Sequence, residues 1–555
     1  MMDGANKPAI SGFSFAAGPA FAMLDATVAR FGGRPAVDFL GKRFSWARIG
    51  QLADAAAAGL QRLGVGKGVN VGLCLPNCPY FVVMYYAILK AGGTVVNFNP
   101  LYTEREIEAQ ARAAEVTVMV TIDLALVQDK ISALAARGVF RHVVSCSFTA
   151  ALPVVKGLAF RWLKRGELAK APAGATFISF AALTGGAKKP AAVAIDPARD
   201  VAALQFTGGT TGVPKAAMLS HENISVNVAQ LLAMGLPLEA GQERILCILP
   251  LFHVYAMTAV MNLGVVLGAE LLLLPRLDMK TLLSTIFRRR PTVMPGVPTL
   301  FTAITRAAEQ RRDHDMSFIK YCTSGGAPIA AETATRFEQM SHCRILEGYG
   351  LSETSPVATA TPPDRVKRGS VGTALPGTVI EIRDPENPGT VLAQGERGEI
   401  CLGGPQVFLG YYKQPAETEA AFVDGMFRTG DIGYLDAEGY LFIVDRIKDL
   451  ILCGGYNVYP RSIEEAAYQH PAVLEAVAIG VPDEYRGQAP KLFVVLREGE
   501  QVDGAALKLF LAEYLSKIEL PREVEIRDSL PKTMVGKHSK KELVAEEAAK
   551  AKASS

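Results

Sequence analysis

The sequence predicts an α/β protein: a large N-terminal domain of parallel and mixed sheets with helices, a small β-barrel-like part within it, and a smaller α+β C-terminal domain. Three observations predict this. Strand-like and helix-like runs alternate along most of the chain, which implies parallel sheets covered by helices. Between about 369 and 440 the strand runs become short and are bounded by Gly, Pro and Asp, as in Gly395-Glu396-Arg397-Gly398-Glu399-Ile400-Cys401-Leu402. At 555 residues, 49% apolar and 20% charged, the chain also exceeds what one hydrophobic core usually supports.

Taken in order, Ala36-Val37-Asp38-Phe39-Leu40 and Val69-Asn70-Val71-Gly72-Leu73-Cys74-Leu75 read as strands. Residues 80–91 read as a helix closed by Gly92-Gly93, and Thr94-Val95-Val96-Asn97-Phe98 is the next strand. Residues 156–165 carry Lys156, Arg161, Lys164 and Arg165 among Leu158, Phe160, Trp162 and Leu163. Such a basic amphipathic stretch suits either an anionic membrane surface or an ordinary solvated helix. Ala202-Ala203-Leu204-Gln205-Phe206 is a further strand. After the short-stranded region, charged residues at 445–449 separate Leu441-Phe442-Ile443-Val444 from Leu450-Ile451-Leu452, and a domain boundary is expected there, dividing 1–445 from 446–555. Strands and helices alternate again beyond it. The Ala- and Lys-rich tail, 546–555, is expected to be frayed or disordered.

Bulk composition narrows the function classes. The 58 basic and 55 acidic residues balance to +3, without the positive field that nucleic-acid binding requires. Eight scattered cysteines suit a reducing compartment, so a cytoplasmic protein is expected, with peripheral attachment at the inner face of a membrane left open by 156–165. Cys74 and Cys78 read as core thiols, because no further Cys or His lies close enough downstream to complete a zinc set. Residues 245–269 contain no charge, but Pro250, His253, Asn262, Gly264 and Gly268 interrupt them, giving a buried strand and a buried helix rather than a spanning one. The uncharged N-terminal stretch 8–24 is a weak signal peptide, broken by Gly12, Gly18 and Pro19.

One local motif carries chemistry by itself. Thr207-Gly208-Gly209-Thr210-Thr211-Gly212-Val213-Pro214-Lys215 follows a strand. Its glycines let backbone N–H groups approach phosphate oxygens, its hydroxyls donate further bonds and Lys215 supplies a cation. A polyphosphate is the natural guest, the bland alternative being a Gly-rich turn. It is not a Walker loop, because Gly212 is followed by Val213.

Together with this loop, Leu219-Ser220-His221, Pro250-Leu251-Phe252-His253, Gly325-Gly326-Ala327-Pro328, Glu347-Gly348-Tyr349-Gly350-Leu351-Ser352-Glu353-Thr354, Phe427-Arg428-Thr429-Gly430-Asp431, Asp445-Arg446-Ile447-Lys448-Asp449 and Leu530-Pro531-Lys532-Thr533 with Gly536-Lys537 follow one another along the chain. In this order they resemble the adenylate-forming superfamily of acyl- and aryl-CoA ligases, peptide-synthetase adenylation domains and luciferases. The sequence looks most like bacterial long-chain fatty acid–CoA ligases.

The resemblance implies ATP, Mg²⁺ and coenzyme A as cofactor and co-substrates, and a two-step reaction through an acyl-adenylate. It implies that Glu353 holds Mg²⁺, with Ser352 beside it on a phosphate. Glu353 read by itself could equally be a helix cap or a surface acid. Asp431 is implied to accept the ribose hydroxyls and Arg446 to assist, while Gly325, Gly326, Ala327 and Glu347-Gly348-Tyr349-Gly350 resemble the segments that enclose adenine. Taken singly, Tyr349 would be a core aromatic. Lys537 matches the lysine that stabilises charge on the α-phosphate during adenylation. Lys448 matches a hinge on which the C-terminal domain turns as a mobile lid, and Gly454-Gly455 would line the path of the pantetheine arm.

His253 stands where amino-acid-activating relatives carry Asp, which speaks against an α-amino acid; a satisfied core histidine is the alternative. With Val254, Tyr255, Met257 and Gly325 it would border an apolar acyl channel. The expected substrates are therefore medium- to long-chain fatty acid, ATP and CoA, with aryl or other hydrophobic acids as the nearest rivals. A homodimer is left open. A peptide-synthetase module would need a carrier motif after Lys537, and a non-catalytic binder would be expected to lack Glu353, Asp431 or Lys537.

Overall fold

The computed structural model describes residues 18–554 apart from 171, 173, 175, 187–188, 208–213, 310–314, 328, 330, 455, 484 and 533–537. Among the described residues the strands form four sheets. The seven-stranded sheet runs Phe177–Ser179, His142–Cys146, Val118–Ile122, Asn70–Leu73, Thr94–Asn97, Val201–Thr207 and Lys215–Ser220 from edge to edge. All its neighbours are parallel except the last pair, Val201–Thr207 and Lys215–Ser220, which are antiparallel. Asn70–Leu73 and Thr94–Asn97 are fully buried, as expected of strands covered on both faces. The helix Pro79–Lys90 that joins them opens with a proline, whose missing N–H is harmless at a helix start, and buries nearly every side chain.

The nine-stranded sheet is parallel in its middle, through Ile345–Gly350, Tyr321–Gly325, Val293–Gly296, Arg244–Cys247, Glu270–Leu273 and Pro35–Phe39. It is antiparallel at both ends, where Val357–Ala360 and Thr373–Ala374 close one edge and Lys42–Ser45 the other. One continuous core, from Ala20 to Phe427, fills the space between and around these two sheets. Residues 245–269 do begin in a buried strand and end in buried helix, but the turn 256–262 is a π-helix, Ala256–Asn262. No described helix is long and apolar enough to cross a membrane.

The barrel-like part is a five-stranded antiparallel sheet, Val379–Arg383, Gly398–Gly403, Met426–Leu435, Phe422–Val423 and Leu441–Arg446, with a small core of its own around Ile400, Leu402 and Leu441. After the turn Ile447–Asp449 the chain enters a fourth sheet, built from Ile451–Cys453, Tyr456–Val458, Val473–Asp483, Gly487–Leu496 and Glu523–Ile526, with separate cores beneath and above it. The seam is tied by Asp445, whose carboxylate accepts the N–H of Arg461 at 2.8 Å, while the Arg461 guanidinium donates to Ile443 O at 2.5 Å.

The tail departs from expectation. Lys540–Ser554 is a helix, not a frayed end. Its Leu543 is buried, Glu547 pairs with Lys491 at 3.0 Å and Glu546 with Arg527 at 2.7 Å. Ala and Lys are strong helix formers, and these pairs supply the anchorage that composition concealed.

Candidate nucleotide and acyl site

Parallel strands present their carboxyl ends on one side of a sheet, and ligands of α/β folds gather there. Gly325 ends one such strand, Gly348 pairs with it from the next, and Tyr349 and Gly350 complete that strand. Gly350 admits no side chain, since a Cβ would stand 1.7 Å from Pro356 O. Gly326 adopts φ +83°, which turns the chain away past the strand end. Ala327 follows it, half-open to solvent. Glu347, inside the same strand, is pushed by burial up to about 7, with Arg461 and Arg368 pulling the other way.

Asp431 lies on the long strand Met426–Leu435, directly opposite Arg446 in the antiparallel register. It is buried, and both carboxylate oxygens are engaged: Tyr349 Oη donates to Oδ2 at 2.7 Å and Arg446 Nε lies 3.0 Å from Oδ1. Each oxygen keeps a second lone pair for an incoming donor. Tyr349 is thus oriented by its hydroxyl rather than lost in the core. Burial and the facing carboxylate hold that phenol protonated.

Glu353 sits in the turn Ser352–Thr354, which closes through Thr354 Oγ1 accepting the N–H of Leu351 at 2.9 Å. Its backbone oxygen accepts the N–H of Phe408 at 2.8 Å, and Tyr411 Oη donates to its Oε1 at 2.9 Å. Burial raises this carboxyl above the usual range. Among the described residues no basic side chain forms an ion pair with it, so a buried carboxylate faces the site with one phenol for company. That environment fits a hard dication, which would find its other ligands on nucleotide phosphates, because no described group of His, Cys, Asp and Glu could hold a metal alone.

Tyr411 was not foreseen from the sequence. The segment around it runs along the strand Lys215–Ser220, with Met218 N–H donating to Gly410 O at 2.9 Å and a bridge between Ala217 and Tyr411. Its ring consequently lies under the ammonium of Lys215, 5.4 Å from the centroid, and Lys215 is paired with Glu417. Thr207 faces Lys215 across the hairpin. Gly208, Gly209, Thr210, Thr211 and Gly212 lie outside the described residues.

His253 occupies a tight turn: its N–H donates to Pro250 O at 3.0 Å, and its Nδ1 accepts the N–H of Tyr255 at 3.3 Å. Gln205, on the strand Val201–Thr207, donates to Phe252 O at 3.2 Å and so ties that turn to the strand. Asn97 links Gln205 at 3.2 Å to the sulfur of Met257 at 3.3 Å. Tyr255 bonds Thr323 at 2.9 Å and lies beside Gly325, where a Cβ would stand 3.3 Å from its ring. Val254 and Met257 are buried. Gln205 and Asn97 carried no signal in the sequence beyond being polar residues inside apolar strands.

Two groups of residues therefore lie near one another, Asp431, Arg446 and Tyr349 in one and Glu353, Tyr411 and Lys215 in the other, close enough that Arg446 and Asp431 act on the Glu353 carboxyl. The turn bearing His253 is joined to them through Gln205. Lys448 is exposed in the turn Ile447–Asp449, and Gly454, at φ +59°, donates to Arg486 O in the turn between two strands of the fourth sheet. Neither has a described hydrogen bond or ion pair with these two groups. Gly455 and Lys537 lie outside the described residues.

Parallel strand ends flanked by the buried acids Asp431 and Glu353, with a glycine- and threonine-rich sequence between two paired strands, are the build of an adenylate-forming enzyme. Family profiles agree: residues 24–412 match the AMP-binding enzyme family and residues 462–537 the AMP-binding enzyme C-terminal domain. The chain belongs to the AMP-binding enzyme family. It is 41% identical, over 95% of its length and 94% of the relative's, to the long-chain-fatty-acid–CoA ligase of Bacillus subtilis strain 168. It is 36% identical to the corresponding Salmonella typhimurium ligase, over 94% of this chain and 93% of that one. Among solved structures, ATP-bound MatB from Rhodopseudomonas palustris superposes with a TM-score of 0.82 at 29% identity, covering 96% of this chain and 99% of that one.

Proposed function

We propose that the protein is a fatty acid–CoA ligase that converts ATP, a medium- to long-chain fatty acid and CoA to AMP, pyrophosphate and acyl-CoA. In the first step an oxygen of the fatty carboxylate attacks the α-phosphorus and the bond to pyrophosphate breaks, leaving an enzyme-bound acyl-adenylate. In the second, the CoA thiol attacks the acyl carbon, the thiol proton is lost and AMP departs.

Each group of residues has a task in this scheme. The hairpin loop from Thr207 to Lys215, with Gly208, Gly209, Thr210, Thr211 and Gly212 at its tip, cradles the phosphates, and Ser352 adds a hydroxyl. Glu353 holds Mg²⁺, which when bound neutralises charge on the phosphates. Asp431 and Arg446 take the ribose; Gly325, Gly326, Ala327, Glu347, Gly348, Tyr349 and Gly350 enclose the base. Lys537 stabilises the charge gathering on the α-phosphate. His253, Val254, Tyr255, Met257 and Gly325 border the acyl channel. Residues 446–555 act as a lid that turns about Lys448, after which Gly454 and Gly455 line the thiol's approach.

The observation that carries this reading is the buried Asp431 carboxylate held between Tyr349 and Arg446, at the seam where one sheet gives way to the next. Pyrophosphate release measured over a panel of fatty and aromatic acids, with and without CoA, tests it. Release with long-chain acids and CoA-dependent thioester supports the proposal; preference for an aromatic acid replaces the substrate, and no release with any acid removes the activity.

A further inference from the structure

The helix Val154–Leu163 is turned inside out relative to the ordinary surface helix. Val154, Leu158 and Trp162 recur at i, i+4 and i+8, and Val155 joins the same stripe, yet this face points to solvent: Val154 is 76%, Val155 78%, Leu158 58%, Trp162 88% and Leu163 84% exposed. The opposite face does the packing. Gly157 is buried so closely that a Cβ would stand 2.7 Å from Thr149 O, and Phe160 rests on Phe148 with ring centroids 5.0 Å apart. The orientation is therefore fixed by the core, and the apolar stripe is left outside.

Cations border the stripe. Lys156 donates to Leu40 O at 2.7 Å, Arg161 to Thr149 Oγ1 at 3.0 Å, and Lys42 on the adjoining hairpin to Ala150 O at 2.6 Å. All three acceptors are neutral; the Asp123 carboxylate also acts on Arg161, while Lys156 and Lys42 are steadied without being cancelled. Lys164 pairs with Glu167, the lone acid between Phe148 and Lys170 in the sequence. An exposed Trp and aliphatic stripe rimmed by cations matches the interface of an anionic lipid bilayer, whose headgroups meet the rim while the stripe enters the acyl boundary.

We propose that Val154–Leu163 is a shallow membrane-docking helix for anionic lipid surfaces. The docking is independent of turnover and of which acid the enzyme activates. Its consequence for the reaction is positional: the protein would work at the surface in which apolar acids are dissolved.

The full-length protein is mixed with vesicles of phosphatidylglycerol and phosphatidylcholine, or of phosphatidylcholine alone, and bound protein is measured by sedimentation. The chain has two tryptophans, and Trp46 is fully buried away from any vesicle, so a change in emission on binding reports on Trp162. With the anionic vesicles, co-sedimentation and a blue shift of Trp162 emission are expected, weakening as salt is raised. The L158S/W162S variant should lose about tenfold or more in partitioning. K156Q/R161Q should lose about fivefold per charge removed on anionic vesicles only. Unchanged sedimentation of L158S/W162S, an unshifted Trp162, or equal binding to neutral vesicles with no salt dependence would each overturn the proposal. So would an oligomer that L158S/W162S converts to monomers, since a second copy would then be the occupant.

Discussion

The phenol of Tyr411 donates to Oε1 of Glu353 at 2.9 Å, and the same ring supports the ammonium of Lys215 at 5.4 Å. One side chain thus positions both the proposed metal-binding carboxylate and the cation of the proposed phosphate-binding segment. Its own hydroxyl is held protonated by burial and by the facing carboxylate.

Tyr411→Phe removes that donor while keeping the ring under Lys215. A buried carboxylate left with fewer partners costs about 1–3 kcal/mol. The expected outcome is a fall in the rate of pyrophosphate release of roughly tenfold, with a changed Mg²⁺ concentration for half-maximal rate, and little change in KM for the acid. Titration of the rate with Mg²⁺ checks this; a variant with wild-type rate and Mg²⁺ dependence would show that Tyr411 only fills space.

Asp431→Asn keeps the shape but removes the charge and one of the two acceptor oxygens that Arg446 and Tyr349 now share between them. Hydrogen bonds to a charged group are worth about 1.5–3 kcal/mol, so KM for ATP should rise roughly tenfold to a hundredfold. Tyr349→Phe, which leaves the charge in place, should cost less. Steady-state kinetics in ATP separate the two, and equal effects would mean that orientation of the ring, not the acceptor, matters.

Glu347 gives a pH signature. Burial raises its carboxyl from 4.5 to about 7, so between those values the folded protein holds a proton that the unfolded chain has released. Stability from this group therefore falls as pH rises through that window, by roughly 3 kcal/mol when complete. Glu347→Gln should remove the loss: in urea unfolding the variant's advantage over wild type should grow from about pH 5 to about pH 8. An advantage independent of pH would place the carboxyl in water.

How much of this was legible in sequence depended on whether the signal was local. The strand Thr94–Asn97, the helix Pro79–Lys90 and the strand Val201–Thr207 are largely apolar runs that the sequence marks out. Tyr411 was not legible, because only the pairing of its segment along Lys215–Ser220, some two hundred residues earlier, brings it to Glu353. The tail was misread for a related reason: Glu547 and Lys491 meet across 56 residues, and composition carries no trace of such a pair. The stripe on Val154–Leu163 has the periodicity of a core-facing helix, and which way it faces is decided by Gly157 and Phe148, not by the stripe.

Lys537→Ala separates the two half-reactions. The flanking residues show how its segment is held: Lys532 lies 2.5 Å and His538 3.2 Å from the two oxygens of Glu475, and Lys532 and His538 bridge across the segment between them. Lys532 and His538, on either side of 533–537 in the sequence, are therefore both held to the fourth sheet, which in the proposed function belongs to the lid. During adenylation charge builds on the α-phosphate, and losing one stabilising group of this kind costs about 10²–10³ in rate. In the thiol step the acyl carbon is the electrophile and AMP the leaving group, so the same ammonium has no comparable task. Pyrophosphate release by Lys537→Ala should fall by that factor, while thioester formation from supplied acyl-AMP and CoA stays within about threefold of wild type. Equal loss in both assays would sink the division of labour, because a lysine serving both steps could not be carried away by a lid that turns between them.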